Sequence, residues 1–179
     1  MREKFKINIA GVDRELTKFP VNDNLDIAAF ILFGDVEVTI ASAKALLKKV
    51  PEFDIILTPE AKSIPLAYEM ARQCGKPYIV ARKGVKVYMN EPISVSVKSI
   101  TTNKTQELYI GTDDADLIKG KRVLVVDDVI STGESLAAVL KLVETAGGKV
   151  AASCAVLAEG DAAQRDDIIF LEPLPLFFK

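Results

Sequence analysis

Polar and apolar residues alternate through the opening stretch FKINIAGVDRELTKFPVN (5–22), which predicts an irregular or short-strand arm. The spacing from about Val36 to Lys49 predicts a helix, ended by the turn at Pro51. FDIILTP (53–59) is a continuous apolar run of strand length, the pattern of a strand buried on both faces. From Ser63 to Cys74 the positions Leu66, Ala67, Met70 and Ala71 carry helical spacing, with Gly75 at the end. PYIVARK (77–83) is a second buried strand, and GVKVYMNEP (84–92) reads as a turn or loop. PISVSVKSI (92–100) and TQELYIG (105–111) alternate around the polar tip TTNK and predict a long, partly exposed hairpin.

KRVLVVDD (121–128) is the most apolar strand, and Leu136, Val139, Leu140 and Val143 then give i, i+3, i+4, i+7 spacing, stopped at Gly147–Gly148. KVAASCAVLAE (149–159) and DIIFLEPL (167–174) are two further strands. Strands with two apolar faces, alternating with helices, predict an α/β fold: an open parallel sheet flanked by helices. The 179 residues suit one domain with a full core, and no repeat or linker divides them.

Composition narrows the chemistry more than the fold. The chain has no histidine, which removes the Ser/His/Asp triad, a histidine base and every histidine-liganded metal. It has no CxxC pair, so structural zinc is not expected, and Cys74 and Cys154 read as reduced thiols on apolar segments. What is left is carboxylates, Lys/Arg, hydroxyls, backbone amides and hard oxygen-ligated cations. A net charge of −2 argues against a nucleic-acid partner. No apolar run is long enough to span a membrane, and the start MREKFKIN lacks a signal-peptide core, so a cytoplasmic location is expected.

Residues 123–135, VLVVDDVISTGES, concentrate that chemistry. An apolar strand delivers Asp127 and Asp128, a short loop follows, and a helix opens at Ser131, Thr132 and Gly133. Unpaired N–H groups in a first helical turn attract a phosphate, Gly133 lets the backbone approach it, and Thr132 and Ser135 can donate hydroxyl bonds. Two carboxylates beside a phosphate repel it unless they face its hydroxyls or a cation. A sugar phosphate with vicinal diols and Mg²⁺ meets that condition. Either half alone is ordinary helix-cap or strand-end chemistry; the joined pattern is the specific one. No Walker A or GxGxxG pattern competes with it.

The joined pattern resembles the 5-phosphoribosyl-1-pyrophosphate (PRPP) motif of type I phosphoribosyltransferases, purine branch. The resemblance implies that fold, over a single domain 1–179 with an N-terminal hood or arm at 1–35 and a flexible flap at 92–111. It implies that Asp127 and Asp128 take the ribose 2- and 3-hydroxyls and that Ser131, Thr132, Gly133, Glu134 and Ser135 wrap the 5-phosphate. Relatives acting on adenine carry T-G-G-T there; Glu134 replaces the second glycine and is expected to point outward. TPEAKSIPLA (58–67) stands in the place of the pyrophosphate loop, so Ala61, Lys62 and Ser63 are implied to hold the leaving group, with Lys62 catalytic alongside the two aspartates. ARKGVK (81–86) resembles a basic run that contacts pyrophosphate partly across subunits, which implies Arg82, Lys83, Lys86 and a homodimer.

The flap resembles the family's closing loop, with Ser99 and Thr101 where adenine enzymes have a Ser-Leu-Glu-Tyr pattern. Asn24 and Leu25 fall where the base-contacting Phe-Arg-Asp-Ile is expected. The implied activity is transfer of phosphoribosyl from PRPP to a purine, adenine ahead of xanthine or hypoxanthine/guanine, with Mg²⁺ carried mainly by PRPP and at most partly by Asp127 and Asp128. A non-catalytic PRPP-sensing regulator, and a pyrimidine salvage enzyme or hydrolase on the same scaffold, are the rival readings.

Overall fold

A computed structural model describes residues 2–98 and 105–179. It opens with strands β1 (Lys4–Ile9), β2 (Val12–Asn22) and β3 (Leu25–Ala28), followed by helix α1 (Val36–Leu47). Strand β4 (Ile55–Pro59), helix α2 (Ile64–Cys74) and strand β5 (Tyr78–Ala81) come next, then the pair β6 (Ile93–Lys98) and β7 (Thr105–Ile110). The second half runs α3 (Thr112–Ile118), β8 (Arg122–Ile130), α4 (Glu134–Thr145), β9 (Lys149–Glu159), a 3-10 turn at Gly160–Gln164, β10 (Ile169–Leu174) and β11 (Phe177–Phe178).

Five strands form one parallel sheet in the order β10-β9-β8-β4-β5. The expected open α/β sheet is present, and strand alternation explains its two covered faces. Val123 and Val125 of β8 and Leu57 of β4 look toward α4, packing with Leu136, Val139 and Leu142. Leu124, Val126 and Ile56 look the other way, into a core shared with Leu46 of α1 and Leu66 and Met70 of α2. A parallel strand with helices on both sides must be apolar throughout, which is why 123–126 carries no polar residue until Asp127.

The arm is more regular than its sequence suggested. β1 and β2 pair in continuous register from Lys4↔Thr17 to Ile9↔Val12, across a two-residue turn where Ala10 (φ 52) and Gly11 (φ 87) are both left-handed. Tertiary ties supply the order that short-range alternation understates. Arg14 of β2 grips Asp35 through Nε (2.8 Å) and Nη2 (2.9 Å) and reaches Glu37 at 2.8 Å. Asp35 is also the N-cap of α1, accepting from the Val38 N–H at 3.2 Å, so one carboxylate fixes both the helix start and the arm. At the other end β11 adds to β3 antiparallel, and the Phe5 and Phe177 rings meet edge to face. The chain's two ends therefore share one small sheet, ordered β1-β2-β3-β11.

β6 and β7 form the expected antiparallel hairpin, in the segment read as a flap, with Val95, Leu108 and Ile110 buried against the α4 side of the core. Its tip, including the expected site residues Ser99 and Thr101, lies outside the described residues. Helix α3 was not foreseen. Its signal was short: Asp113 and Asp114 in the first turn, and Ala115 and Ile118 buried three apart. Among the described residues no helix is long and apolar enough to cross a membrane. Cys74 is partly buried and Cys154 fully so, both as free thiols.

Candidate active site

Parallel strands all end on one edge of the sheet, and loops leaving that edge meet there. The β4–α2 loop, the β8–α4 loop and the flap strand β7 together enclose a cleft of about 310 Å³ at this edge. Asp127, Asp128, Ser131, Thr132, Gly133 and Ser135 line it from one side, and Ala61, Lys62 and Ser63 from the other. These residues are far apart in sequence, yet the sequence reading named each of them.

β8 keeps pairing with β9 through Ile130, so the two aspartates sit inside the strand rather than at its tip. Asp128 is only 4% exposed. Its Oδ2 lies 3.2 Å from Lys62 Nζ, but no described group gives that oxygen a hydrogen bond of good geometry. The pair is thus an ion contact with a lone pair left over, suited to an incoming hydroxyl. Asp127 accepts the Asp128 backbone N–H at 2.9 Å. Burial, then the charge of Asp128 and a hydrogen bond to it, push the Asp127 carboxyl up to about 7, with Lys62 opposing.

That shift has a consequence for stability. Between the ordinary carboxylate range and about 7, the folded chain holds a proton at Asp127 that the unfolded chain has released. Ligand-free stability therefore falls as pH rises through this window, and the penalty is complete above it. Asp127→Asn removes the titration while keeping an acceptor for the Asp128 N–H. Calorimetry at pH 8 should show the variant melting above the parent, by roughly 2–4 °C for each kcal/mol relieved, with the gap closing below pH 4. An unchanged gap across pH would mean that the carboxylate pair does not carry the repulsion.

The phosphate side is built from backbone. Gly133 is the N-cap of α4 at φ 81, in the left-handed region, and no side chain caps the helix. A helix start with no side-chain cap is the kind that presents backbone N–H groups to an anion. A Cβ on Gly133 would sit 2.5 Å from Arg165 Nη1, so the position is crowded as well as left-handed. Glu134 alone in the run 131–136 does not line the cleft, in keeping with the outward orientation expected of it. Ser135 Oγ is 3.1 Å from Gln106 Oε1, which ties the helix start to the flap.

Opposite, the 59–63 loop is braced from beneath. Ser63 is buried, its Oγ donates to the Pro59 carbonyl at 3.0 Å, and Thr58 Oγ1 lies within 2.7 Å of Ser63 Oγ and 2.8 Å of the Val126 carbonyl. Ser63 therefore offers the cleft its backbone, while the half-exposed Lys62 offers charge. The Glu60–Ala61 peptide within this loop is cis.

Placement of the basic run is mixed. Lys83 lines the cleft; Arg82 and Lys86 do not. Arg82 instead pairs with Glu60 at 3.2 Å and exchanges backbone bonds with Tyr109 of the flap. The Lys83 backbone N–H, at 3.1 Å, and the charges of Arg82, Lys86 and Lys83 hold the Glu60 carboxyl below its ordinary range. Glu60 and Gln106 both line the cleft and were not foreseen, because a lone Glu on a loop and a Gln on an alternating strand carry no sequence signal.

A second hollow of about 290 Å³ adjoins the first, sharing Lys62, Val129 and Ser131 with it. Its walls are Ile27–Ile31 at the end of β3 and just beyond it, Leu174 of β10, and Glu159 at the end of β9. The structure does not bring Asn24 and Leu25 here. Leu25 pairs with Phe178 and the Asn24 carbonyl accepts the Lys179 N–H, at the far end of β3. The N-terminal arm contributes instead the last residues of that strand and those just past it, because β3 runs toward the cleft and delivers its C-terminal end.

Comparison with known proteins agrees with this geometry. Residues 37–173 match the family model described as a phosphoribosyl transferase domain. A hypoxanthine/guanine phosphoribosyltransferase of Methanocella arvoryzae is 33% identical over 142 residues, covering 79% of this chain and 68% of that protein. An adenine phosphoribosyltransferase of Thermotoga maritima is 29% identical over 155 residues, covering 82% and 83%. The crystal structure of adenine phosphoribosyltransferase from Thermoanaerobacter pseudethanolicus superimposes with a TM-score of 0.74 at 25% identity, over 88% of this chain and 95% of that one. A chain matched over 37–173, whose parallel sheet brings two adjacent carboxylates and an uncapped helix start to its C-terminal edge, belongs to the phosphoribosyltransferase family.

Proposed function

We propose that the chain transfers the 5-phosphoribosyl group of PRPP to a purine, adenine by preference, releasing pyrophosphate. The observation that carries this reading is the single cleft lined at once by Asp127 and Asp128, the 131–135 loop and the 61–63 loop. Those three parts match the diol, the 5-phosphate and the diphosphate of one ligand. The preference for adenine rests on the T. maritima relative and the T. pseudethanolicus structure. The M. arvoryzae relative supports hypoxanthine/guanine as the second reading.

In this reading Asp127 and Asp128 accept hydrogen bonds from the ribose 3- and 2-hydroxyls, and the first-turn amides of α4 hold the 5-phosphate. With the sugar fixed at both ends, the bond from C1 to the pyrophosphate oxygen lengthens and C1 becomes cationic. The amides of 61–63 and the Lys62 ammonium face the leaving oxygen, where negative charge develops, which is the place such groups act most strongly. The purine enters from the adjoining hollow, its ring nitrogen forming the new bond to C1 as the old one breaks, and the proton that this nitrogen sheds leaves with the pyrophosphate. Exclusion of water beneath the flap keeps PRPP from hydrolysis.

Mg²⁺ fits this site as a substrate-borne ion. Among the described residues no cluster of three acidic or thiol ligands exists to hold a metal alone, whereas Mg²⁺ favours phosphates plus one or two carboxylates. Asp127 and Asp128, the latter's Oδ2 carrying an ion contact with Lys62 but no described hydrogen bond, are the groups that would meet it. When bound it supplies neutralising charge to the diphosphate.

The protein is read as a cytoplasmic homodimer working through one domain, 1–179. Arg82 and Lys86 stand away from their own cleft, and Val85, Val87 and Tyr88 beside them are exposed. Apolar residues around a basic run suit a surface that closes on a second copy.

Pyrophosphate release with PRPP, Mg²⁺ and a panel of adenine, hypoxanthine, guanine, xanthine and uracil tests the reading. Turnover should be fastest with adenine and absent with uracil. Tight PRPP binding with no turnover on any base would replace the enzyme by a sensor.

A further inference from the structure

Glu159 is a charged group beside the cleft that the reaction, as described, does not use. It closes β9 at the sheet's C-terminal edge, half-buried, and lines the second hollow together with apolar neighbours: Ala28, Phe30, Val129 and Leu174. It is the only carboxylate among the described lining residues, so that hollow combines apolar walls with three polar side chains, Lys62 and Ser131 on the edge shared with the first cleft and Glu159 as the one acidic acceptor. Small-molecule sites read their ligands in this way, with area from the walls and identity from a few polar atoms. Burial raises the Glu159 carboxyl above its ordinary range, and Lys62 is the charge that opposes the rise. A carboxyl stripped of part of its water gains more from a donor that a ligand brings.

We infer that Glu159 sets the choice of acceptor by accepting a hydrogen bond from an exocyclic amine of the purine. The inference rests on the phosphoribosyl transfer proposed above. An amine at this point donates to the carboxyl oxygen. A ring carbonyl in the same place would set oxygen against oxygen, leaving both unpaired in a partly dry site. The adjoining position also follows from the chemistry, since the attacking ring nitrogen must reach C1 in the first cleft while the amine-bearing edge points away from it. Adenine carries such an amine and hypoxanthine does not, although the two rings are otherwise alike in size.

The test is the ratio of kcat/KM for adenine to that for hypoxanthine, measured in the parent, Glu159→Gln and Glu159→Asp. Glutamine keeps the shape but can turn either its oxygen or its amide N–H₂ to the base, so discrimination should drop by about 10-fold or more. Aspartate withdraws the carboxyl by one methylene and should give an intermediate ratio. KM for PRPP and the melting temperature should stay as in the parent, which a merely structural role for Glu159 would not predict. If guanine rather than adenine loses its advantage over hypoxanthine, the carboxyl still reads an amine, the one at C2. If the parent turns over purines and both variants keep its ratios, the Glu159 assignment is overturned and the transferase reading survives. If the parent turns over no purine, both fall.

Discussion

Asp127→Asn combined with Asp128→Asn leaves a protein that folds but makes little use of PRPP, with kcat/KM for PRPP reduced by about 10³-fold or more. The size follows from how the two carboxylates are held. Asp128 is buried, its Oδ2 facing Lys62 at 3.2 Å with no described hydrogen bond, and Asp127 is pushed up to about 7. Like charges side by side in a dry place are tolerated only if something else uses them. Vicinal hydroxyls bring two donors to two acceptors, and a cation brings charge; asparagine keeps the shape but turns half of each group into a donor. Removing one charge-assisted contact at a reacting centre costs about 2–4 kcal/mol. Two contacts to one diol couple, so their sum is an upper bound. The loss should appear in both KM for PRPP and kcat, because the diol positions C1 in the ground state and in the transition state alike. Titration calorimetry with PRPP and Mg²⁺ checks the binding half; equal affinity in parent and double variant would end the ribose assignment.

The parts legible in the sequence and the parts that were not differ in physical kind. Strands β4, β8 and β9 were readable because a strand covered on both faces is apolar at every position. Asp127 and Asp128 stood out against that background, as did the Ser131–Ser135 helix start. Local backbone chemistry at a strand–loop–helix junction is written in adjacent residues. Glu60, Gln106 and Glu159 were invisible because each acts from an ordinary position, and only the convergence of β4, β7 and β9 on one edge gives them meaning. The hood was half legible: alternation announced strands, but the contact with the second hollow comes from Ile27–Ile31, whose place depends on β3 pairing with β11 across the whole length of the chain. Arg82 shows the converse. Its sequence context implied a pyrophosphate contact made partly across subunits; within its own chain it pairs with Glu60 and the β7 strand, and a single protomer does not display the partner's cleft.

Lys62→Ala should separate binding from chemistry more sharply than any other single change. Lys62 is 54% exposed on its side chain, so its ion contact with Asp128 is screened and its loss should alter stability by no more than about 1 kcal/mol. At the leaving group the same charge counts for more, since it faces oxygens that gain negative charge only as the bond to C1 breaks. Rate should therefore fall by about 10²–10³ in kcat with a smaller rise in KM for PRPP. The reverse reaction, in which pyrophosphate attacks the nucleotide, should lose the same factor, because both directions share one transition state. Lys62→Arg should recover only part of it: a planar fork replaces a point charge at a position braced through buried Ser63 and Thr58, and the loop cannot shift to re-aim it. Steady-state kinetics in both directions, beside a thermal melt, makes the comparison. A variant that loses PRPP affinity but keeps kcat would move Lys62 from the leaving group to ground-state binding, and the role of transition-state cation would pass to Lys83, the other lysine lining the cleft.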